Sequence, residues 1–174
     1  MRASWNPTDD LSLQASTGHL KSPEQLHPGR DEQRTTASAT YNRPLTGGGN
    51  WATTFAASVK NLSPGPALKA YLLESAWRID RRNTVFARAE RKEDDELFEN
   101  DPASPLHEQV VAVAKLSLGY VRTLPVSKHV ELDLGGLASA YAWPDRLDAT
   151  YGKSGVKSFM LFVRLKLAES KAGS

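Results

Sequence analysis

Alternation with a period of two governs what this chain can fold into. From Trp51 the odd positions carry Trp51, Thr53, Phe55, Ala57 and Val59, and the even ones Ala52, Thr54, Ala56, Ser58 and Lys60. In 67–79 one side holds Tyr71, Leu73, Trp77 and Ile79, and the other Glu74 and Arg78. From Val110 the even set Val110, Ala112, Ala114, Leu116, Leu118 and Tyr120 opposes Lys115, Ser117 and Gly119. Val130, Leu132, Leu134 and Ala138 alternate with Glu131, Asp133 and Ser139. Phe159, Leu161, Val163, Leu165 and Leu167 alternate with Ser158, Met160, Phe162, Arg164 and Lys166. Successive side chains of an extended strand point to opposite faces, so these runs read as strands with one apolar side. A helix needs apolar residues every three or four positions, which these runs lack.

Nine segments follow: 2–6, 11–18, 34–43, 51–60, 67–79, 83–91, 110–122, 129–142 and 157–167. The first is short enough to be a truncated strand. Most of the others exceed the usual strand of about five or six residues and suit the roughly 9–11 tilted residues that cross a bilayer in a barrel. Their connections alternate. The turns at 6–10, 44–49, 80–82 and 123–128 are short and rich in Pro, Gly, Asp and Asn, whereas 19–33, 92–109 and 143–156 are long and polar. The connection 61–66 is the exception, being short. Short turns on one side and longer loops on the other are the habit of transmembrane barrels. The predicted fold is therefore all-β: an antiparallel up-and-down meander of eight or nine strands forming a transmembrane β-barrel or a large part of one. Residues 1–174 make one domain, with 1–10 as a partial strand and turn and 168–174 as a flexible tail. With an even strand number, the eight segments from Leu11 to Leu167 suffice to close, leaving the first as a remnant.

The two faces differ in chemistry. Trp5, Tyr41, Trp51, Trp77 and Tyr120 all lie within a few residues of a short turn, and the last four share the apolar parity of their strands. Large amphipathic rings at one edge of an apolar face describe an interfacial girdle. Tyr71, at the opposite end of its strand, is the candidate for an outer girdle. The other face carries Glu74, Arg78, Arg88, Glu90, Lys115, Glu131, Asp133, Arg164 and Lys166. In a membrane these must face the lumen, because Arg or Lys against lipid near the midplane costs about 2–4 kcal/mol. Pairing Ile79 with Asn83 sets Trp77 against Val85, Leu73 against Ala89 and Glu74 against Arg88. Glu131 and Asp133 likewise begin one strand where Arg164 and Lys166 finish the next, a register that opposite charges favour.

Composition and motifs remove several other classes. Lys plus Arg total 22 against 20 Asp plus Glu, too even a balance for a nucleic-acid binder. There is no cysteine, hence no disulfide scaffold, thiolate zinc site or cysteine nucleophile. The longest uninterrupted apolar runs, 110–114 and 159–163, are far short of the about twenty residues of a spanning helix. His19, His27, His107 and His129 show no metal spacing. Ser117, Ser139, His129 and Asp133 compose a hydrolase set only on paper. The acidic run Glu93–Glu96, with Glu99 and Asp101, lacks the spaced ligands and glycine of a calcium loop. Gly47–Gly49 has no strand-to-helix phosphate context, and Gly135-Gly136 marks a bend or close packing inside a strand. No catalytic residue, metal or cofactor is expected, and the chain reads as a non-enzyme.

The passages LKSPEQLHPG, RTTASATYNRPLTGGGNWATTFA, AYLLESAWRIDRRNTVFARAERKEDDELF and VAKLSLGYV resemble the C-terminal half of a family of proteobacterial outer-membrane, porin-like β-barrel proteins. The resemblance spans nearly the whole chain and brings no catalytic residues. It implies an outer-membrane location, a larger parent barrel, outer-membrane lipid and, in transit, the barrel-assembly machinery as partners. Two departures stand out. Met1 runs directly into a strand with no leader, and the last strand closes at Leu167, followed by 168–174 instead of a terminal aromatic. The expected function is passive passage of small polar solutes. A non-transporting anchoring barrel and a soluble lipocalin-like binder stay open as alternatives, as does the oligomeric state.

Overall fold

The computed structural model describes residues 1–23, 29–98, 101, 103–107, 109–155 and 157–167. Nine strands form one antiparallel sheet: β1 (Arg2–Thr8), β2 (Leu11–Leu20), β3 (Asp31–Leu45), β4 (Gly49–Ser63), β5 (Ala67–Arg78), β6 (Asn83–Asp94), β7 (Val111–Pro125), β8 (Val130–Ala142) and β9 (Lys157–Leu167). Spatial order equals chain order, so the sheet is an up-and-down meander with β1 and β9 as open edges. It is consistent with part of a barrel. All nine segments counted in the sequence are strands.

The differences lie at the ends. The segment read as truncated is a seven-residue strand paired with β2 from Arg2↔Ser16 to Thr8↔Leu11, irregular between Trp5 and Thr8. It covers the edge of β2, so β2–β9 do not close on one another. β3 and β4 pair without interruption from Asp31↔Ser63 to Leu45↔Gly49, well beyond the alternating core of either segment. Backbone pairing does not require alternation, and it continues until a turn interrupts it. The long loops shrink accordingly. The long connection after β8 holds a 3-10 turn, Asp145–Leu147, and one helical turn, α1 (Asp148–Tyr151). Leu147 is buried there, and Arg146 donates to the Val110 carbonyl at 2.6 Å. The flexible tail read at 168–174, like His27 and Glu99, lies outside the described residues.

The β5–β6 turn shows how short connections are fixed. The Asp80 carboxylate accepts the backbone N–H of Arg82 at 2.6 Å and of Asn83 at 2.8 Å, and the Asn83 side-chain amide as well. An aspartate bonding its own backbone two residues on is a turn maker. The Arg82 backbone bond, followed by the Asn83 side chain, holds this carboxyl below its ordinary value.

Two glycines serve close packing. Phe86 pairs with Gly119 across β6–β7, and Phe162 with Gly135 across β8–β9, the far end of each ring lying over the glycine. A Cβ at Gly119 would sit 2.1 Å from the Phe86 ring and one at Gly135 2.3 Å from the Phe162 ring. Each ring takes the space that a side chain at the glycine would fill.

Two outcomes follow. Gly119→Ala should destabilise by about 1–3 kcal/mol, the cost of forcing a packed ring aside. The Phe86→Ala/Gly119→Ala pair should lose less than the sum of the single losses in denaturant unfolding. The second outcome concerns Asp80. A lowered folded value means its contribution is complete above the unfolded carboxylate value of about 3.9 and fades as pH falls through the lower folded one. Protection of the Arg82 and Asn83 amides against hydrogen exchange should therefore persist to acid pH and then drop, whereas Asp80→Ala lacks it throughout.

Candidate functional site

The register sorts every side chain onto one of two faces. One continuous row of partners runs Arg43, Trp51, Trp77, Val85, Tyr120, Gly136 and Leu161. Two residues along lies Tyr41, Thr53, Ser75, Ala87, Leu118, Ala138 and Phe159, and two further Trp5, Leu13, Ala39, Phe55, Leu73, Ala89 and Leu116. All six aromatics expected at the girdle thus share one face. Trp5, whose parity the sequence of β1 alone does not reveal, joins them through its pairing with Leu13. Large apolar side chains here stand open: Phe159 is 83 % exposed and Leu161 80 %. Polar groups on this face satisfy one another, with Trp51 Nε1 donating to Ser75 Oγ at 3.0 Å and Ser75 sharing a 2.8 Å bond with Thr53.

The apolar band does not run level with the hydrogen-bonded rows. Going from β1 to β5 its aromatic edge drops from the row of Trp5 through that of Tyr41 to that of Trp77, four residues over four strands. On β5 the band runs from Tyr71 to Ile79; on β9 it runs from Phe159 to Leu167, again four residues lower over four strands. Its loop-side boundary, set by the charges Lys69, Arg91 and Lys157, slopes the same way. One residue of about 3.3 Å per strand spacing of about 4.8 Å is a slope of roughly 35°. Barrel strands tilt by about 35–45°. At that tilt the eight steps from Tyr71 to Ile79 make a band about 22 Å tall, close to the roughly 25 Å apolar band of membrane barrels.

The opposite face collects all nine charges expected together. Glu74 pairs with Arg88, and Glu90 with Lys115, in the backbone register. Arg88 bridges Glu74 at 3.6 Å and Glu90 at 2.9 Å, and Lys115 reaches Glu90 at 3.9 Å. Nearer the short turns, Asp133 accepts from Thr123 Oγ1 at 2.6 Å and Arg164 Nε at 3.0 Å, and Lys166 spans Asp133 and Glu131 at 3.3 and 3.2 Å. Arg78 shares a row with Thr84 between the two groups. Small side chains are buried on this face: Asp133 is 0 % exposed, and Ser117, Ser139 and Thr123 are buried too. Side chains converge here and diverge on the apolar face, as on a sheet curled toward its charged side.

Alternation underreports two features. Between the two charged groups lie Phe86, Leu137, Met160 and Phe162, an apolar patch on the polar face. With Ala52, Ala76, Glu74, Arg88 and Lys115, part of it lines a concavity of about 670 Å³. At the loop end, buried Glu32 bonds Arg34 at 2.6 Å and faces Lys60 at 3.8 Å, while Lys60 also reaches Glu96 at 3.3 Å and Arg30 pairs with Asp95 at 3.2 Å. Leu62, Leu68 and Val111 are buried beside them. Glu32 and Lys60 lie on the charged parity of β3 and β4, a signal readable once β3 is started three residues earlier.

The hydrolase set is not brought together. Ser117 and Ser139 bond each other at 2.7 Å, and Asp133 lies six residues down β8, about 20 Å away. His129 sits in the β7–β8 turn. Among the described residues no group of three or more His, Asp or Glu could hold a metal ion. Comparison with family models, with curated proteins and with solved structures returns no match.

Asp133 should matter most among the charges. Asp133→Asn leaves two cations facing an uncharged, fully buried site and should cost about 1–3 kcal/mol. Glu131→Gln, at a pair that solvent screens, should stay within about 0.5 kcal/mol. Denaturant unfolding of the two variants separates them.

Proposed function

We propose that this chain is the wall of an outer-membrane, porin-like β-barrel whose charged face borders a path for small polar solutes. The observation that carries this reading is the sloping apolar band. An apolar stripe of about the right height, edged by Trp and Tyr with Arg43 and Arg122 beside them on the turn side, and inclined at a barrel's tilt, is what hydrocarbon demands of the strands it touches. A soluble sheet has no reason to keep the middle of one face apolar along an incline. The opposite face mixes both signs in paired form and so favours polar solutes without a strong ion preference. Outer-membrane lipid is the permanent partner in this reading, and the barrel-assembly machinery a transient one. Phe86, Leu137, Met160 and Phe162 favour a second reading, a barrel filled by its own side chains that anchors and transports nothing.

Stepwise conductance after reconstitution into planar bilayers supports the first reading, and silent incorporation the second. The membrane assignment has its own test. Leu118→Arg puts a charge in the middle of the apolar face and should lose about 2–4 kcal/mol of membrane stability, while Thr54→Arg, on the charged face, should be tolerated. Flotation with phosphatidylcholine vesicles reads both. Wild-type chain that stays in the aqueous fraction without detergent would overturn the membrane assignment and favour a soluble binder.

A further inference from the structure

Neighbouring rows of partners on the charged face differ in character. The row Ala52, Ala76, Phe86, Gly119, Leu137 and Met160 is apolar throughout. Two residues toward the loops it gives way to Thr54, Glu74, Arg88 and Ser117, and two further to Leu72, Glu90, Lys115 and Tyr141. The concavity of about 670 Å³ spans these rows, with Ala52, Ala76, Phe86 and Leu137 toward the short turns and Glu74, Arg88, Glu90 and Lys115 toward the loops. A volume of this size, with an apolar lining and a few placed polar groups, is the usual make-up of a small-molecule site. Its four charges form one alternating chain. Arg88 donates to Glu90 through Nε at 3.1 Å and Nη2 at 2.9 Å, and its Nη1 stands 3.6 Å from Glu74. Lys115 stands 3.9 Å from Glu90 and 5.4 Å from the centre of the Tyr141 ring. The inner pair, Arg88 and Glu90, is thus joined by two hydrogen bonds. The outer two differ: among the described residues Glu74 and Lys115 hold these longer ion-pair contacts and make no hydrogen bond. One end of the chain is a carboxylate with lone pairs to fill, and the other an ammonium with three N–H groups to place.

These four charges sum to zero. A simple anion at Lys115 meets Glu90, and a simple cation at Glu74 meets Arg88, so an ion of either sign gains at one end and is repelled beside it. A neutral polyol gains nothing from Phe86 and Leu137. A solute bearing an ammonium, a carboxylate and an apolar group engages all three rows at once. The register sets its length. Glu74 and Lys115 are two strands and two residues apart, about 12 Å between their Cα atoms. An α-amino acid, with both charges on one carbon, is too short to touch both. Two extended residues span about 7 Å, and a charge-assisted hydrogen bond of about 2.8 Å at each end fits them to the gap. We propose that the concavity binds zwitterionic dipeptides with an apolar side chain, the ammonium on Glu74, the carboxylate on Lys115 and the side chain against Phe86 and Leu137. The inference rests on the solute path proposed above, whose solute it names.

Calorimetric titration of the full chain in phosphatidylcholine vesicles, with chain-free vesicles as the blank, tests it. The probe is alanylphenylalanine. Its N-acetyl form lacks the ammonium, its amide lacks the carboxylate, glycylglycine lacks the apolar group, and phenylalanine carries both charges on one carbon. The dipeptide should bind about tenfold more tightly than each of these four. E74Q should weaken the dipeptide and its amide about tenfold and leave the N-acetyl form as it was, while K115Q should weaken the dipeptide and the N-acetyl form and spare the amide. A general loss of structure would weaken all of them alike. Ala52→Leu, which fills the apolar end and leaves every charge, should remove the advantage of alanylphenylalanine over glycylglycine. Phenylalanine binding as tightly as the dipeptide overturns the two-residue span and the proposal with it. Five probes that bind alike, or none that saturates, with chain that still floats with the vesicles, overturn the site and leave the membrane assignment standing. Chain that stays in the aqueous fraction overturns the membrane assignment and the proposal together.

Discussion

The antiparallel register is the constraint on which the rest depends. Side chains alternate along each strand, so a slip of one residue in any ladder would carry a whole strand's apolar set to the charged side. Each pairing from β2 to β9 runs without a break. The parity set by Trp51 and Trp77 is thereby transmitted to Leu161, five strands beyond β4. Charge pairs reinforce the same register from the other side. Arg88 meets Glu74, and Arg164 meets Asp133, only when the apolar rows are also aligned.

Register alone would leave the apolar residues in a band perpendicular to the strands. The observed band is inclined to the ladder, and that incline is written in the sequence as a gradual displacement of each strand's apolar stretch toward its short-turn end. β9 shows the displacement most clearly: Lys157, at its loop end, lies level with Leu116 and Leu73, which are central on their own strands. A flat sheet gains nothing from such an arrangement. A sheet whose strands lean around an axis needs it, because each must cross the same layer at a different point along its length.

Much of this was legible in the amino-acid order. All nine segments counted in the sequence are strands, five of them on an explicit alternation, and counting back from the Asp80 turn sets Glu74 against Arg88. The features that escaped share a physical cause: they do not alternate. Phe86 and Phe162 sit on the polar parity, and what admits them is the glycine on the neighbouring strand, a relation between residues 33 and 27 positions apart. Glu32 joins its buried cluster because backbone hydrogen bonding carries β3 past the end of its patterned core. Leu147 packs from a connection that reads as solvated, and nothing periodic in that segment marks it for burial. Trp5 had no parity of its own to read, and only its partner Leu13 assigns it a face.

The meander has an odd number of strands, and its two rims therefore carry backbones running in the same direction, away from a common end. β1 and β9 cannot zip together head to tail. Sealing the annulus leaves two topological routes: an odd complement of additional strands between those rims, or a seam in which like-directed chains lie side by side with slanted hydrogen bonds. Until one of these is met, both rims expose rows of amide and carbonyl groups, and hydrocarbon does not tolerate such rows.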